Sequence, residues 1–503
     1  MMKYRSILAS LGRAAAILCL AAAMPYAINA EDYSKYYQCK LPVALTPVAE
    51  PSIPAYEISL TDFGGVGDGI TMNTEAFAKA MVHLAEKGGG RLNVPGGIWY
   101  TGPIRFESNV ELHLDRGALV LFSDNLADYP VSRSDWEGVP TYRTVSPLSA
   151  RGKHDIAITG FGTFNGNGQC WRPVKKAKTT APQWTALTAK GCVSKKGDVW
   201  FPNERIREIH EDKSLIARIH NADSAELEYF HDFLRPVLLS FIECENVLLR
   251  DATFENSPAW NIHPLLCENL IIDNVNIRNP WYAQNGDGLD VESCNRVLVV
   301  NSRFDVGDDA ICIKSGRDKE GRDRGVPCRD VLIEGCTVYH GHGGFVIGSE
   351  MSGGCRDIVA RDCLFIGTDV GLRFKSTRGR GGVVENIHVD NVKMTDIAGE
   401  ALIFDLYYGI KPGAPVPPVT EETPCFRNIR LSNINCRSAR RAALFNGLPE
   451  MPLKNISVTS SRFTAESGFH LANTDSLTLR DVAITTPSEP ITRGEGVTNL
   501  LLD

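Results

Sequence analysis

ENVLLRDATF (245–254), ENLIIDNVNI (268–277), NRVLVVNSRF (295–304) and RDVLIEGCTV (329–338) are copies of one pattern. A polar pair ending in Asn, Asp or Arg leads into alternating apolar residues, an interruption rich in Asp, Asn or Gly, and a second apolar stretch. The pattern continues as RDIVARDCLF (356–365), ENIHVDNVKM (385–394), RNIRLSNINC (427–436), KNISVTSSRF (454–463) and DSLTLRDVAI (475–484), and begins earlier as SNVELHL (108–114) and HDIAITG (154–160). From Asn246 to Asn386 the second positions are 23, 27, 34, 27 and 29 residues apart. Period-two apolarity predicts strands, and the polar interruptions predict turns. Two short strands per copy and a third near the Gly-rich segments make one coil of a solenoid. Such a coil cannot bury its apolar face alone; stacking does that. A leucine-rich repeat would need a regular leucine framework, and a propeller longer four-stranded units with hairpins. The expected fold is all-β: a single-domain parallel β-helix.

The flanking sequence differs. TDFGGVGDGITMNTEAFAKAMVHLAEKGGG (61–90) predicts a helix over 74–86 with Asn73 or Thr74 as N-cap, a helix suited to cover the open end of the solenoid. Residues 166–225 interrupt the repeat as an inserted loop or lobe, and the Pro-rich KPGAPVPPVTEETP (411–424) reads as a surface loop. At the N-terminus, Lys3, Arg5 and Arg13 precede the apolar run 14–23. This is an export-signal pattern, too short to span a bilayer, with cleavage expected near Ala30. The domain organisation is then a signal over 1–30 and one parallel β-helix domain over 31–503, exported to the periplasm or beyond.

The chain has 503 residues, 43% hydrophobic and 22% charged, with net charge -7. Those proportions exclude a disordered chain, and the acidic balance argues against a general nucleic-acid binder. Of fourteen cysteines, none forms a CxxC pair. Cys312, Cys336, Cys363 and Cys436 sit in strand-like runs, where buried thiols acting as small hydrophobes are expected rather than a disulfide framework.

Unusual polar residues fall at successive coils. Asn285 and Asp287 precede one copy and Asp308 and Asp309 follow it; His342 follows the next, and Arg373 and Lys375 the one after. Stacked strands lie ~4.8 Å apart, so these residues are expected to form a column. Three neighbouring carboxylates suit acid/base hydrolysis of a glycosidic bond, and Arg with Lys suits a substrate carboxylate.

In order and spacing, NGDGLD (285–290), GDD (307–309), GHGG (341–344) and RFK (373–375) resemble the motifs of glycoside hydrolase family 28, the polygalacturonases. The resemblance covers roughly 55–490. It implies a right-handed β-helix that hydrolyses α-galacturonosidic bonds with inversion, without metal or other cofactor. By motif, Asp308 is the general acid, Asp287 and Asp309 activate water, His342 tunes the acid, and Arg373 and Lys375 grip a galacturonate carboxylate. Inversion implies carboxylates about 6.5–9.5 Å apart. The sequence departs from the usual NTD and RIK at Gly286 and Phe374, two positions expected beside the site. Asn285, His263, Glu350, Arg235 and Tyr407 are further substrate-binding candidates. His263 falls with Trp260 and Asn261 in SPAWNIHP (257–264), and Glu350 in GSEMSGG (348–354). The expected partner is a pectic polysaccharide or oligogalacturonide, cleaved from an end by a monomer. A calcium-assisted lyase on the same fold and a non-catalytic carbohydrate-binding solenoid are the alternatives.

Overall fold

The computed structural model describes residues 31–38, 41–410 and 415–503; the proposed export signal lies outside them. Each coil contributes to three rows of parallel strands. One row holds the first half of each repeat, as in Glu245–Arg250, Glu268–Asp273, Asn295–Val300 and Cys328–Glu334. A second holds the repeat's tail: Thr253–Glu255, Asn276–Arg278, Arg303–Asp305 and Thr337–His340. The third carries Leu239–Ile242, Ile262–Leu265, Leu289–Glu292, Asp309–Lys314, Gly343–Ile347 and Leu372–Lys375. Together they build a parallel β-helix whose apolar interior runs from Ile58 to Leu479.

The repeat's polar positions have a backbone cause. Its second residue is left-handed in copy after copy: Asn246, Asn269, Arg296, Asp330, Asp357, Asn386, Asn428 and Asn455 have φ between 52° and 60°. The seventh is left-handed too, at Asp251, Asn274, Asn301, Gly335, Asp362, Asn391 and Asn433. Asn, Asp and Gly tolerate this conformation best, which is why they recur there. Their side chains also link coils, as in Asn269 to Asn246 at 2.9 Å and Asn274 to Asp251 at 2.7 Å.

All twelve cysteines among the described residues are free thiols, and Cys312, Cys336, Cys363 and Cys436 are buried, as expected. The helix α1 spans Thr74–Glu86 and joins the core through Phe77, Ala80, Met81 and Leu84. Asn73 does not cap it with its side chain. Its amide instead accepts from the Val66 N–H and donates to the carbonyls of Val66, Thr71 and Tyr100. The insertion contains a three-stranded antiparallel sheet and short helices. Its structured part continues past residue 225 to Phe233, around a small core of Ile209, Ile219, Phe230 and Leu234. A hairpin unforeseen in the sequence, Val131–Trp136 with Val139–Thr144, also stands off the coil. Residues 415–422 of the Pro-rich segment are exposed.

On the first row, the outward residues Ala157, Leu248, Ile271, Leu298, Leu332 and Val359 form an apolar stripe bounded by Glu111 and His388. The N-terminal segment lies along it, burying Tyr33, Tyr36 and Val48. Its tethers include left-handed turn residues: the N–H groups of Ala49, Thr46 and Ser52 donate to Asn269, Asp330 and Asp155. Removing both rings (Tyr33→Ala with Tyr36→Ala) uncovers the stripe. A scan of thermal unfolding is expected to show Tm lower by about 5 °C or more, with increased binding of an apolar dye before the transition. An unchanged Tm would show that the strap adds no stability.

Candidate active site

The site lies on the outer face of the third strand row. Alternation sends Leu289, Val291, Ile311, Ile313, Phe345 and Phe374 into the core. Asp290, Glu292, Lys314, Arg373 and Lys375 therefore point outward. Asp287, Asp308 and His342 come from the turns that enter these strands. Asp287 stacks on Asp309, whose carbonyl accepts from the Gly288 N–H at 2.9 Å. Asp308 stacks on His342, whose N–H donates to the Asp308 carbonyl at 2.8 Å. The expected single column is thus two adjacent files, and they converge. Asp287, Asp308 and Asp309 each offer an oxygen within 4.8 Å of the other two. These are nearest-oxygen distances, shorter than carboxyl-to-carboxyl separations such as the expected ~6.5–9.5 Å, and the stacking of β-coils sets them.

Charge is arranged around the trio. Asp309, 2% exposed, accepts from Arg373 at 3.1 Å and Lys375 at 2.7 Å. Burial would raise its proton affinity, but these cations hold it far below the usual carboxylate range. The two residues expected to grip substrate therefore grip Asp309 in the free cleft. Asp308 is 20% exposed, with His342 Nδ1 3.1 Å away. Against its burial, that hydrogen bond draws Asp308 below its ordinary value. Asp287 is raised well above its ordinary value by burial, then by Asp308 and Asp290, and its Oδ1 has no hydrogen-bond partner. In the free cleft burial and like-charged neighbours favour the proton on Asp287 over Asp308: His342 serves Asp308, and no donor serves Asp287 Oδ1.

A buried charged floor continues beneath, unforeseen in the sequence. Lys314 Nζ lies 3.0 Å from Asp290, 3.9 Å from Glu350 and 4.0 Å from Asp287. Burial raises Asp290 to about 6 despite the cation. Glu292 pairs with His263 at 2.9 Å and Arg324 at 2.7 Å, and Arg324 reaches Asp135 of the hairpin at 2.7 Å. Burial would raise Glu292, but these partners outweigh it and take Glu292 down to about 2. Strand alternation was the available signal, since Asp290 and Glu292 flank Val291 in a strand opposite Lys314. The carboxylate trio is compact enough for a cation, but Lys314, Arg373 and Lys375 already supply positive charge, which suits a shared proton better.

The other candidates divide. Glu350 is at the site through Lys314. Asn285 is beside it, its Oδ1 accepting from Arg235 at 2.6 Å. Arg235 is buried and also donates to the carbonyls of Pro258 and Gln284, so it holds the loop. His263 is 2% exposed and committed to Glu292. Above it, Trp260 stacks at 5.0 Å on Trp136 of the hairpin. Tyr407 packs against the core, with the Arg378 guanidinium 5.4 Å from its ring centre. The exposed Tyr408 instead faces Lys375 at 5.5 Å, because the chain leaves the strand pattern after Asp405. Phe374 is fully buried and stacks 4.3 Å from Phe404, so its difference from the usual Ile belongs to core packing and not to the groove. Gly286 is buried with Ala283 close by; an added Cβ would lie 2.6 Å from that side chain.

Comparison with known proteins identifies relatives of the chain. Residues 228–460 match glycosyl hydrolases family 28. A probable polygalacturonase of Vitis vinifera is 29% identical, over 81% of this chain and 74% of its own length. An exo-poly-alpha-D-galacturonosidase of Dickeya chrysanthemi is 31% identical, over 73% of this chain and 59% of its own. The solved hyperthermoactive exopolygalacturonase from Thermotoga maritima superposes with TM-score 0.69 at 32% identity, covering 91% of this chain and 94% of that one. With its stacked carboxylates on a parallel β-helix, this chain belongs to glycosyl hydrolases family 28 and is a glycoside hydrolase.

Proposed function

We propose that the enzyme removes sugar units from the ends of pectic galacturonan chains by inverting hydrolysis, as an exported monomer. The observation that carries this reading is a carboxylate cluster walled by the hairpin on one side and cationic on the other. On the walled side, Trp260, His263, Asp290 and Glu292 are at most 2% exposed, with Trp136 stacked over Trp260. On the other, Arg373 and Lys375 remain partly exposed beside Tyr408. A chain end fits such a cleft better than a chain middle. The coil is taken as right-handed, the sense favoured for parallel crossovers, and α1 as its cap.

In this mechanism Asp308 is the general acid. Asp287 is already dry, so substrate changes its surroundings little. Asp308 loses its remaining water and faces an incoming uronate, and both effects raise its proton affinity. The cluster's proton then passes from Asp287 to Asp308. Asp287, balanced by Lys314, works with Asp309 to activate water held over the pair. Arg373 and Lys375 share their donors between Asp309 and the substrate carboxylate.

Asp308→Asn is expected to lower kcat on trigalacturonate about 10²–10⁴-fold, and far less on an aryl galacturonide whose leaving group needs no proton. If only Asp287→Asn were rescued by the aryl substrate, the acid would be Asp287. Early digests of polygalacturonate are expected to contain short products of one size, with the β-anomer formed first by proton NMR. Medium-length oligomers would mean internal cleavage, and a first-formed α-anomer would mean retention.

Lys314→Met removes the cation that favours ionised Asp287; Asp290, Asp308 and Asp309 all oppose ionisation. Asp287 then takes up its proton at higher pH. The alkaline limb of the kcat/KM profile, where the cluster's proton is lost, is expected to move up by about one pH unit or more. A uniform fall with no movement of the limb would assign Lys314 to packing alone.

A further inference from the structure

Lys178 belongs to the insertion, in the single turn Lys176–Lys178, yet its ammonium reaches the catalytic residues. Nζ lies 3.2 Å from the Gly307 carbonyl, 3.5 Å from the Trp281 carbonyl and 3.3 Å from His342 Nε2. All three contacts are long and none is to a carboxylate. The other cations of the site are committed: Arg373 and Lys375 to Asp309, Lys314 to Asp290, and Arg235 to carbonyls and Asn285. Lys178 and His342 are both partly exposed, so a ligand can reach the ammonium. Partial desolvation without a close counter-ion leaves such a group with most to gain from an arriving anion.

Its position fits a second sugar. Lys178 touches the coils of Trp281, Gly307 and His342, centred on Gly307, and Arg373 and Lys375 lie two coils beyond that centre. Two coil spacings are roughly 10 Å, on the scale of the separation between carboxylates of neighbouring sugars. We propose that Lys178 binds the carboxylate of the uronate unit on the insertion side of the scissile bond, opposite the unit held by Arg373 and Lys375. This rests on the reading of the enzyme as a galacturonan hydrolase and extends it. The site would require a free acid on both sugars flanking the cleaved bond, and the insertion would supply the second point of recognition.

The test uses the full chain and four trimers: trigalacturonate, and trigalacturonate methyl-esterified at each of its three units in turn. Lys178→Met is expected to raise KM for trigalacturonate about tenfold to a hundredfold, the range for a lost charge-assisted hydrogen bond, with kcat changed less than about threefold. For one of the three esterified trimers, KM should be nearly the same in wild type and variant, because the group that Lys178 reads is already masked. Lys178→Arg should retain most of the affinity. Equal losses on all four trimers would overturn the assignment. So would an unchanged KM with a lower kcat and a displaced pH profile, which would mean that Lys178 acts through His342. Wild-type enzyme that releases nothing from any trimer would overturn the galacturonan reading itself, and this inference with it.

Discussion

Everything at this site follows from the narrow, uniform rise of a parallel β-coil. Backbone hydrogen bonds set neighbouring coils ~4.8 Å apart, and left-handed turns keep each coil in register with the next. Asp287, Asp308 and Asp309 are consequently pressed together. Three carboxylates at that spacing, two of them buried, cannot all remain charged without compensation. The site answers in three ways. Asp309 is neutralised by Arg373 and Lys375, Asp308 takes a hydrogen bond from His342, and Asp287 holds the proton. The same closeness that makes the cluster costly makes it a proton-transfer device.

The cover over the walled side uses a different physics. The Arg143 guanidinium lies 4.0 Å from the ring centre of Trp136, Trp136 stacks on Trp260, and Lys314 Nζ sits 3.5 Å from the ring centre of Trp260. Cation, ring, ring and cation thus run from the hairpin down to the charged floor. Cation–π attraction strengthens where water is excluded. This stack therefore joins the covering hairpin to the residue that balances Asp287. The wall of the cleft and its electrostatics are one construction.

The repeat and the four site motifs were legible because each is local. Asn, Asp and Gly recur at the second and seventh positions because those backbones are left-handed, and Val, Ile and Leu alternate because strands do. The helix over 74–86 was legible for the same reason. Other assignments needed three-dimensional neighbours. Tyr407 and Tyr408 are adjacent in sequence, and only the path of the chain after Asp405 decides which faces Lys375. His263 falls one coil before Asp287 as expected, but the hairpin covering that coil removes it from the groove. Arg235 carries the right charge and spends it on backbone carbonyls. Phe374 sits between two cationic residues and faces inward, where Phe404 and Phe445 continue its stack.

By itself the sequence determined the coil, its register and the identity of the carboxylates, since a two-residue alternation and a turn at fixed offsets are properties of the chain within one repeat. Tertiary structure alone decided which carboxylate holds the proton, which side of the cleft is covered, and that Lys178 reaches His342 from a segment far away in sequence. Those outcomes depend on desolvation and on distances between atoms of different coils and of the insertion. No periodicity encodes such quantities; packing sets them.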